Sequence, residues 1–477
     1  MGYQNYIAGQ WADGSGILTN INPSDTGDVV GEYARGSADD VDAAVAAAKA
    51  ALPGWRQIGI QKRADILDTI GRTLLERRQE LGELLAREEG KTLPEAVGEV
   101  ARAGQIFKFF GGEALRLSGQ LVESVRPGLE VTVTREPLGV IGLITPWNFP
   151  VAIPAWKIAP ALAYANTVVF KPAELVPGSA QALAEIIAAA GLPTGVFNLV
   201  VGPGSVVGEA MVNHPDVDGI SFTGSVATGA MIAQAAAKRL ARVQLEMGGK
   251  NPLVILDDAD LEVAVECAIN GAFFSTGQRC TASSRLVVTA GIHDQFVEAI
   301  LKRMAGLTVD HALKEGTDIG PVVDAAQLEQ NRSYIDIGQA EGATLATGGE
   351  LLERDTPGFY FSPALFVEAT NDMRISREEI FGPVASLIKA ADYDEALSIA
   401  NDTEFGLSAG IVTTSLRHAT HFRNNAEAGM VMVNLPTAGV DYHVPFGGTK
   451  GSSLGTREQG SYAKEFYTTV KTGYLLS

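Results

Sequence analysis

Hydrophobic residues recur at helical spacing in the first part of the chain, and this pattern predicts that three helices open the sequence. Ser37 and Asp40 have the spacing of a capping box in front of the first helix. Amphipathic periodicity predicts helices over Asp39–Leu52, Gln61–Glu89 and Pro94–Leu117. Next, valine alternates with threonine inside "LVESVRPGLEVTVTREP", which predicts an extended, half-exposed strand at Val131–Thr134.

From residue 139 the pattern changes to short apolar strands that alternate with helices. The predicted strands are "GVIGLIT", "NTVVFKP", "GVFNLVVG", "GISFTG" and "RVQLEMGG". The predicted helices between them are Val151–Tyr164, Gly178–Ala190, Ser205–Asn213 and Ala227–Arg239. Such alternation is typical of parallel βαβ units in a doubly wound sheet, which binds ligands at the carboxyl ends of its strands.

A second alternation follows Asn251 and predicts a second α/β domain. Its elements are the strands "NPLVILDD" and "SRLVVTA" and the helices Leu261–Phe274 and His293–Met304. The chain has 477 residues, of which 46% are apolar, so two or three domains are expected. The predicted fold class is therefore α/β, with a doubly wound parallel-sheet domain and a second α/β domain.

Charge and composition exclude several kinds of partner. The net charge of −19 argues against nucleic acid, and it means that an anionic ligand would need a local positive group. The longest apolar stretch, Val151–Phe170, contains Pro154, Lys157 and Pro160, which argues against a membrane span. The N-terminal segment has neither a basic region nor an apolar leader, so a cytoplasmic protein is expected. The two cysteines predict neither a disulfide framework nor a metal site.

The two cysteines lie in different surroundings. Cys267 lies on the apolar face of a predicted helix and is interpreted as a core residue. Cys280 lies in "FFSTGQRCTASSR", beside Arg279 and several hydroxyl groups. A reactive thiol requires a polar, accessible site that favours its thiolate. This segment alone leaves both interpretations of Cys280 open, a packed thiol and a nucleophile.

Other polar residues follow the predicted strands of the first domain. The segments that carry them are "LITPWNFP", "VVFKPAE", "FTGSVATG", "LEMGGKNP", "EEIFGPV" and "PFGGTKGS", in that order. The Gly-Ser turn at Gly224 precedes a predicted helix, whose first N–H groups can hold phosphate. The GxGxxG fingerprint is absent, and "VGPGSVVG" offers only the glycines 202, 204 and 208.

Together these segments resemble the aldehyde dehydrogenase superfamily over essentially the whole chain. The resemblance implies an NAD(P)-binding domain at residues 1–118 and 138–248 and a catalytic domain at residues 249–452. It further implies an oligomerisation arm from residues 119–137 and 453–477, and hence a homodimer or homotetramer. The implied substrate is a small aldehyde, and no metal is implied.

The resemblance also implies the residues that carry the chemistry. Cys280 would attack the aldehyde, giving a thiohemiacetal and then a thioester, while Asn148 would bind the oxyanion. Glu246 would activate the hydrolytic water, and Lys157 occupies a position tied to the cofactor and the active site. For Glu458 two interpretations stay open, a secondary proton acceptor and a surface residue. The implied cofactor-binding residues are Thr145, Pro146, Trp147, Lys171, Glu174, Gly204, Gly224, Ser225, Glu379 and Phe381. Glu174 favours NAD, with NADP left open.

The substrate is less clearly indicated. "STGQRCTASSR", "AGVDYHVPFGG" and "REQGSYAKEFYTTVKT" resemble a subgroup that oxidises 2,5-dioxopentanoate (α-ketoglutaric semialdehyde). Trp156 and Phe274 stand where succinic semialdehyde dehydrogenases carry arginines. The alternatives are a general aliphatic or aromatic aldehyde dehydrogenase, a succinic semialdehyde dehydrogenase, or a catalytically silent relative. Arg279 and His443, with the two aromatic residues, are the expected substrate-binding residues.

Overall fold

Two parallel sheets, each covered by helices, organise the computed structural model, which describes residues 3–476. Residues 1, 2 and 477 lie outside the described part; the first two belong to the predicted domain range 1–118, and the last belongs to the predicted arm range 453–477. The first sheet contains, in spatial order, Gln10–Ala12, Asn5–Ile7, Phe197–Leu199, Thr167–Lys171, Val140–Ile144, Gly219–Thr223, Arg242–Glu246 and Ser453–Leu454. Its five central strands are parallel. Four of them, Val140–Ile144, Thr167–Lys171, Phe197–Leu199 and Gly219–Thr223, are buried along their whole length, as expected of a parallel sheet covered on both faces.

The helices that accompany the first sheet come from the N-terminal part of the chain and from the βαβ crossovers. They are Ala38–Gln57, Ile60–Glu76, Arg78–Glu89, Leu93–Ala114, Ala152–Ala163, Pro177–Ala189, Glu209–Asn213 and Val226–Lys238, with a π-helical turn at Gly204–Gly208. Every residue of Ala152–Ala163 is buried, so Lys157 lies inside the protein.

The second sheet contains, in spatial order, Thr344–Thr347, Ala364–Ala369, Val384–Ala390, Ser283–Thr289, Asn251–Ile255, Ser408–Val412 and Met430–Val433. Its helices are Leu261–Phe273, His293–Met304, Ala325–Ala340, Arg374–Arg377, Tyr393–Asn401 and Leu416–Asn425, with a 3₁₀ turn at Phe274–Gly277. The pair Phe405–Gly406 and Thr449–Lys450 forms a small separate ladder. The predicted α/β fold class is confirmed.

A third, three-stranded antiparallel sheet is separate from the two large sheets. It consists of Thr468–Leu476, Leu129–Pro137 and Gln120–Glu123, in that order, and Thr468 pairs with Pro137 at one end of the register. The C-terminal strand follows a 3₁₀ turn at Ser461–Ala463 and a short helix at Lys464–Tyr467. Many apolar side chains of this sheet are exposed, among them Leu121, Val470, Tyr474, Leu475 and Leu476.

The elements differ from the predicted ones in several places, and those from Ala325–Ala340 to Met430–Val433 were not predicted at all. The helix predicted over Gln61–Glu89 is two helices, because Arg77 leaves helical geometry at φ −94° and ψ 10°. Four strands that were not predicted precede the first helix: Asn5–Ile7 and Gln10–Ala12 on the edge of the first sheet, and the hairpin Gly16–Asn22 with Asp25–Arg35. The capping box of Ser37 and Asp40 is present as predicted. No helix among residues 3–476 is long and apolar enough to cross a membrane.

Candidate active site

Cys280 lies on the loop between the helix Leu261–Phe273 and the strand Ser283–Thr289. Three consecutive residues before it, Ser275, Thr276 and Gly277, have positive φ angles of 51°, 56° and 64°. A Cβ atom on Gly277 would approach the Gly382 carbonyl oxygen to 2.3 Å, so only glycine fits there. This tight turn ends the helix and carries the chain to Cys280, whose side chain is half-buried.

Hydrogen bonds from three distant segments hold this loop. Asn251 donates its side-chain amide to the carbonyl oxygens of Cys280 at 2.7 Å and of Ala282 at 2.9 Å. Thr437 donates its hydroxyl to the Thr281 carbonyl at 2.7 Å. Glu95 accepts from the backbone N–H and the hydroxyl of Ser275, at 2.8 and 2.9 Å. Sequence analysis missed these supporting residues, and only Asn251, at the start of a predicted strand, carried a positional signal.

The surroundings of Cys280 disfavour its thiolate in the free protein. Burial raises the pKa of the thiol to about 12, and the carboxylates of Glu379 and Glu246 contribute in the same direction. The backbone N–H groups of Cys280 and Thr281 face the sulfur and oppose this shift. These two donors show that the thiol lies where amide hydrogens can stabilise negative charge. Burial also raises the pKa of Cys267, to about 11, and that residue packs in the core of the second sheet.

Asn148 lies next to this loop, at the carboxyl end of the strand Val140–Ile144. Its buried side-chain amide donates to the Gln278 carbonyl oxygen at 2.9 Å, two residues before Cys280. An amide NH₂ has two hydrogens, so one remains for a ligand. Its backbone carbonyl accepts from the Lys91 ammonium at 2.6 Å.

A buried ion cluster that the sequence did not indicate supports the Asn148 turn. The Lys91 ammonium lies 2.8 Å from a carboxylate oxygen of Glu99 and 3.9 Å from the centre of the Phe149 ring. The other oxygen of Glu99 accepts from the backbone N–H groups of Val151 and Ala152, at 2.9 and 3.0 Å. One charged pair therefore holds the turn on both sides of Phe149.

Glu246 ends its strand with a buried carboxyl group that is turned toward the loop after Phe446. One oxygen accepts from the Ser453 hydroxyl at 2.6 Å, and the other has no hydrogen-bond partner in the described part of the chain. Burial raises its pKa well above the usual range, and the Glu458 carboxylate adds to this shift. An unpaired, buried carboxyl oxygen with a raised pKa is suited to accept a proton.

Lys157 and Glu458 form an ion pair inside the protein. The Lys157 ammonium contacts the Glu458 carboxylate and donates to the Ser221 hydroxyl at 2.8 Å, and this hydroxyl donates to Glu458 at 3.1 Å. Both charged side chains are at most 1% exposed. The interpretation of Glu458 as a surface residue is therefore wrong. Burial raises its pKa, while Lys157 opposes the shift.

One cavity of about 370 Å³ brings Cys280 together with most of the predicted cofactor residues. The predicted residues that line it are Pro146, Trp147, Asn148, Gly224, Ser225, Cys280, Glu379 and Phe381. Gln327 also lines it and donates to the backbone carbonyls of Ile380 and Phe381, so it fixes the loop of Glu379. Four predicted cofactor residues, Thr145, Lys171, Glu174 and Gly204, are outside the lining, and so are the predicted catalytic residues Lys157 and Glu246.

The chemistry of this cavity fits a dinucleotide. Ser225 caps the helix Val226–Lys238, and the first N–H groups of such a helix can bind a phosphate at that end. Thr223 lines the cavity with a buried hydroxyl that has no partner among residues 3–476. Glu379 accepts from the Gly249 N–H at 2.8 Å, and a Cβ atom on Gly248 would collide with its carboxylate at 2.1 Å. The cavity thus offers phosphate donors and a carboxylate for ribose hydroxyls.

Lys171 and Glu174 follow the neighbouring strand Thr167–Lys171. The Lys171 carbonyl accepts from the Thr145 N–H at 3.2 Å, so the two predicted strand ends adjoin. Burial lowers the pKa of Lys171 to about 8, and the Glu174 carboxylate opposes that shift. Gly204 begins the π-helical turn Gly204–Gly208 after the next strand, with open space beside it.

The residues expected to bind the substrate lie in different places. Trp156 is 5% exposed and stacks on Phe446 with ring centres 5.2 Å apart, and Phe274 packs on the core of the second sheet. Arg279 directs its guanidinium at the carbonyls of Asn270 and Gly271, at the end of the preceding helix. Both hydrogen bonds come from one terminal nitrogen, and the buried Nε atom has no partner among residues 3–476. The expectation that Arg279 binds the substrate stays a prediction.

His443 is exposed on a loop and lies against Tyr442, with ring centres 5.4 Å apart. Arg285, which has the next positive charge after Cys280, is fully buried. It donates to the carbonyls of Lys250, Ile399 and Ala400 at 2.9 to 3.0 Å and is a structural residue.

Comparison with known proteins agrees with this geometry. A model of the aldehyde dehydrogenase family matches residues 11–473. The alpha-ketoglutaric semialdehyde dehydrogenase of Bacillus subtilis (strain 168) is 47% identical over 480 residues, which cover 99% of this chain and 98% of the relative. The 2,5-dioxopentanoate dehydrogenase of Saccharolobus solfataricus is 41% identical over 472 residues, covering 98% of both chains.

A solved structure, the betaine aldehyde dehydrogenase of Staphylococcus aureus in complex with NAD+, superposes with a TM-score of 0.97. It is 34% identical and covers 100% of this chain and 95% of its own. The resemblance that the sequence motifs indicated is confirmed. The chain belongs to the aldehyde dehydrogenase family and is an NAD(P)-dependent oxidoreductase that converts an aldehyde to its carboxylic acid.

Proposed function

We propose that this enzyme oxidises 2,5-dioxopentanoate to 2-oxoglutarate, with Cys280 as its nucleophile. The similarity to two relatives named for this semialdehyde, over nearly the whole chain, supports the substrate. The single observation that carries the mechanism is the cavity that Cys280 shares with Asn148 and Glu379.

The first step is loss of the Cys280 thiol proton to solvent, and the resulting thiolate attacks the aldehyde carbon to give a thiohemiacetal oxyanion. In this proposal the free side-chain N–H of Asn148 and the backbone N–H of Cys280 are the donors for this oxygen, since Asn148 lines the same cavity as Cys280 and the Cys280 N–H faces the sulfur. Losing one such donor typically costs about 2.7–4 kcal/mol of transition-state stabilisation.

The cavity residues hold the cofactor in this proposal. Glu379 binds the nicotinamide ribose, the turn of Gly224 and Ser225 contacts the diphosphate, and Lys171 with Glu174 binds the adenosine ribose. When bound, NAD+ accepts the hydride that leaves the thiohemiacetal carbon, and a Cys280 thioester remains. Glu174 favours NAD over NADP, because its carboxylate would repel a 2′-phosphate.

Hydrolysis of the thioester needs a base, and Glu246 has this role in the proposal. Its unpaired oxygen takes a proton from water, the resulting hydroxide adds to the thioester carbon, and the thiolate leaves as the acid forms. The buried pair of Lys157 and Glu458, close enough to shift the pKa of Glu246, is a route for that proton.

The assembly and location of the enzyme also belong to this proposal. The three-stranded arm exposes apolar side chains along Thr468–Leu476, and this strand is the edge of its sheet, so we infer a homodimer or homotetramer. A nucleophilic thiol has to stay reduced, which favours the cytoplasm.

A panel of aldehydes tests the substrate. We expect kcat/KM for 2,5-dioxopentanoate to exceed that for pentanal, benzaldehyde and succinic semialdehyde when NADH formation is followed by absorbance. The Cys280→Ser variant is the blank for each aldehyde. If benzaldehyde or pentanal is the better substrate of the wild type, the substrate assignment is wrong and the general aldehyde dehydrogenase takes its place.

A further inference from the structure

Arg102 is a half-buried arginine in the middle of the helix Leu93–Ala114, and the mechanism above does not use it. One of its terminal nitrogens donates to the side-chain oxygen of Gln459 at 3.2 Å. Its Nε atom is buried and has no hydrogen-bond partner in the described part of the chain. A buried guanidinium N–H that lacks a partner is costly, unless a ligand supplies the acceptor.

Gln459 also has a buried side-chain N–H donor that is not used within the described part of the chain. It is fully buried, and its Nε2 atom also has no partner among residues 3–476. Its backbone is held at φ 57°, next to Glu458, which is fixed by Lys157. The hydrogen bond from Arg102 to Gln459 therefore joins two side chains that each keep an unused, buried N–H donor. A carboxylate has two oxygens and accepts from two such donors at once.

The loop that carries residues 440–446 connects Arg102 with Cys280. Val440 and Phe446 pack in the same small apolar cluster as Cys280. Tyr442 packs edge-to-face on Phe109, with ring centres 6.4 Å apart. Phe109 lies seven residues after Arg102 and hence on the same face of the helix.

The charges around Arg102 leave its positive charge available to an anion in the neighbourhood of Cys280. Burial lowers the pKa of Arg102, whereas Glu99, Asp441 and the Cys280 sulfur act in the opposite direction. Arginine keeps its charge in such surroundings. Glu99 is already neutralised by Lys91, and Asp441 is exposed to water. The charge of Arg102 is thus not taken up by a buried carboxylate, in a protein whose net charge is −19.

We propose that Arg102, together with Gln459, binds the terminal carboxylate of the substrate while Cys280 attacks the aldehyde at the other end. This inference rests on the proposed function, and it assigns the positive group that an anionic substrate requires. It also explains how an enzyme in which the aromatic pair of Trp156 and Phe446 packs next to Cys280 selects a charged aldehyde. In this proposal Arg279, next to the nucleophile in sequence, does not have this role.

The test compares 2,5-dioxopentanoate with pentanal, which has the same chain length and no charge. Arg102→Met should lower the ratio of the two kcat/KM values by about ten- to a hundredfold, as expected for the loss of a charge-assisted hydrogen bond. Arg102→Lys keeps the charge and should lose less of the ratio. Lys108→Met removes a positive charge from the exposed face of the same helix, where Lys108 pairs with Asp68, and should leave the ratio as in the wild type.

A second measurement does not depend on turnover of the acid. Glutarate should inhibit pentanal oxidation competitively in the wild type, and its inhibition constant should rise about tenfold or more in Arg102→Met. If Arg102→Met does not fold, the kcat/KM ratio and the glutarate inhibition constant of Arg102→Lys test the role of Arg102 instead.

The outcomes separate the two proposals. A wild type that prefers pentanal overturns the substrate assignment. A wild type that prefers the acid, combined with an unchanged ratio and unchanged glutarate inhibition in the Arg102 variants, overturns the role of Arg102 alone.

Discussion

The reactivity of Cys280 depends on a balance between burial and two backbone donors. Burial and two carboxylates raise the pKa of its thiol, whereas the N–H groups of Cys280 and Thr281 favour the thiolate. Because the folded-state pKa is raised, the thiolate fraction of the free enzyme increases as the pH rises toward about 12. Cys267 has a similarly raised pKa and no such donors, so a shifted pKa alone does not distinguish the two thiols.

This contrast gives a prediction at the residue scale. Cys280→Ser should lower kcat by at least about a thousandfold, because the hydroxyl is a far weaker nucleophile, while NAD binding persists. Cys267→Ala, the matched control, should keep kcat close to the wild type and cost about 1 kcal/mol of stability. Steady-state kinetics and thermal unfolding of both variants check this. Substantial turnover by Cys280→Ser would place the nucleophile elsewhere.

Residues that follow strands could be located from the sequence, whereas side-chain direction could not. Asn148 and Ser225 come directly after predicted parallel strands, and these strands end at the same edge of the sheet. Arg279 adjoins Cys280 in the chain, but its side chain is directed at the preceding helix. Arg102 and Gln459 are 357 residues apart, and no local pattern predicts their contact.

At the scale of elements, the helix Leu93–Ala114 couples the two loops that hold the reacting groups. Glu95 completes the capping box with Thr92 and also holds Ser275, in the turn before Cys280. Glu99, one turn later, holds the turn after Asn148, and Lys91 holds Asn148 itself. The N-terminal end of one helix thus sets the distance between the thiol and its oxyanion donor.

We therefore expect the Lys91→Met substitution to lower both the stability and the activity of the enzyme strongly. It leaves Glu99 as a buried carboxylate without a counter-ion, which should cost about 3–5 kcal/mol of unfolding free energy. It should also lower kcat well below the unfolding temperature, since Asn148 loses its support. The control Lys108→Met breaks an exposed pair and should cost less than about 1 kcal/mol.

Chemical denaturation and kinetics on both variants decide the matter. Equal stability of the Lys91→Met and Lys108→Met variants would show that the buried cluster does not hold the turn.

Buried strands could be predicted from the sequence, whereas exposed strands could not. Strands buried on both faces, such as Val140–Ile144, stand out as apolar runs between turn residues. The hairpin Gly16–Asn22 with Asp25–Arg35 is largely exposed and rich in Gly, Asn and Asp, so its pattern contains little strand signal. The break at Arg77 leaves the apolar periodicity intact on both sides, and therefore the sequence suggested one helix.

At the scale of the whole molecule, the arm is the surface that remains without a partner. Thr468–Leu476 pairs along one side only, and the other side presents its backbone N–H and C=O groups. Val470 and Tyr474, four residues apart and therefore on one face of the strand, are 61% and 62% exposed. An exposed edge of this kind is a template for pairing with another chain, which supports the proposed oligomer.

The double substitution of Val470 and Tyr474 by Glu should shift the proposed oligomer toward smaller species, because it places like charges on the exposed face of the arm. Sedimentation velocity measures this shift. Leu416→Glu, on the exposed surface of a helix in the second domain, is the control and should sediment as the wild type does. A double variant that keeps the wild-type mass would exclude this face from the interface.

The C-terminal segment determines when, during synthesis of the chain, the active site becomes complete. Ser453 contacts Glu246, Glu458 pairs with Lys157, and Gln459 binds Arg102, while the last strand closes the arm. Domains form as the chain emerges during translation, so the second sheet and the other strands of the first sheet can assemble while these residues are still inside the ribosome. A nascent chain therefore carries Cys280 without the groups that complete its surroundings, and aldehyde chemistry begins only once this last segment has emerged and docked.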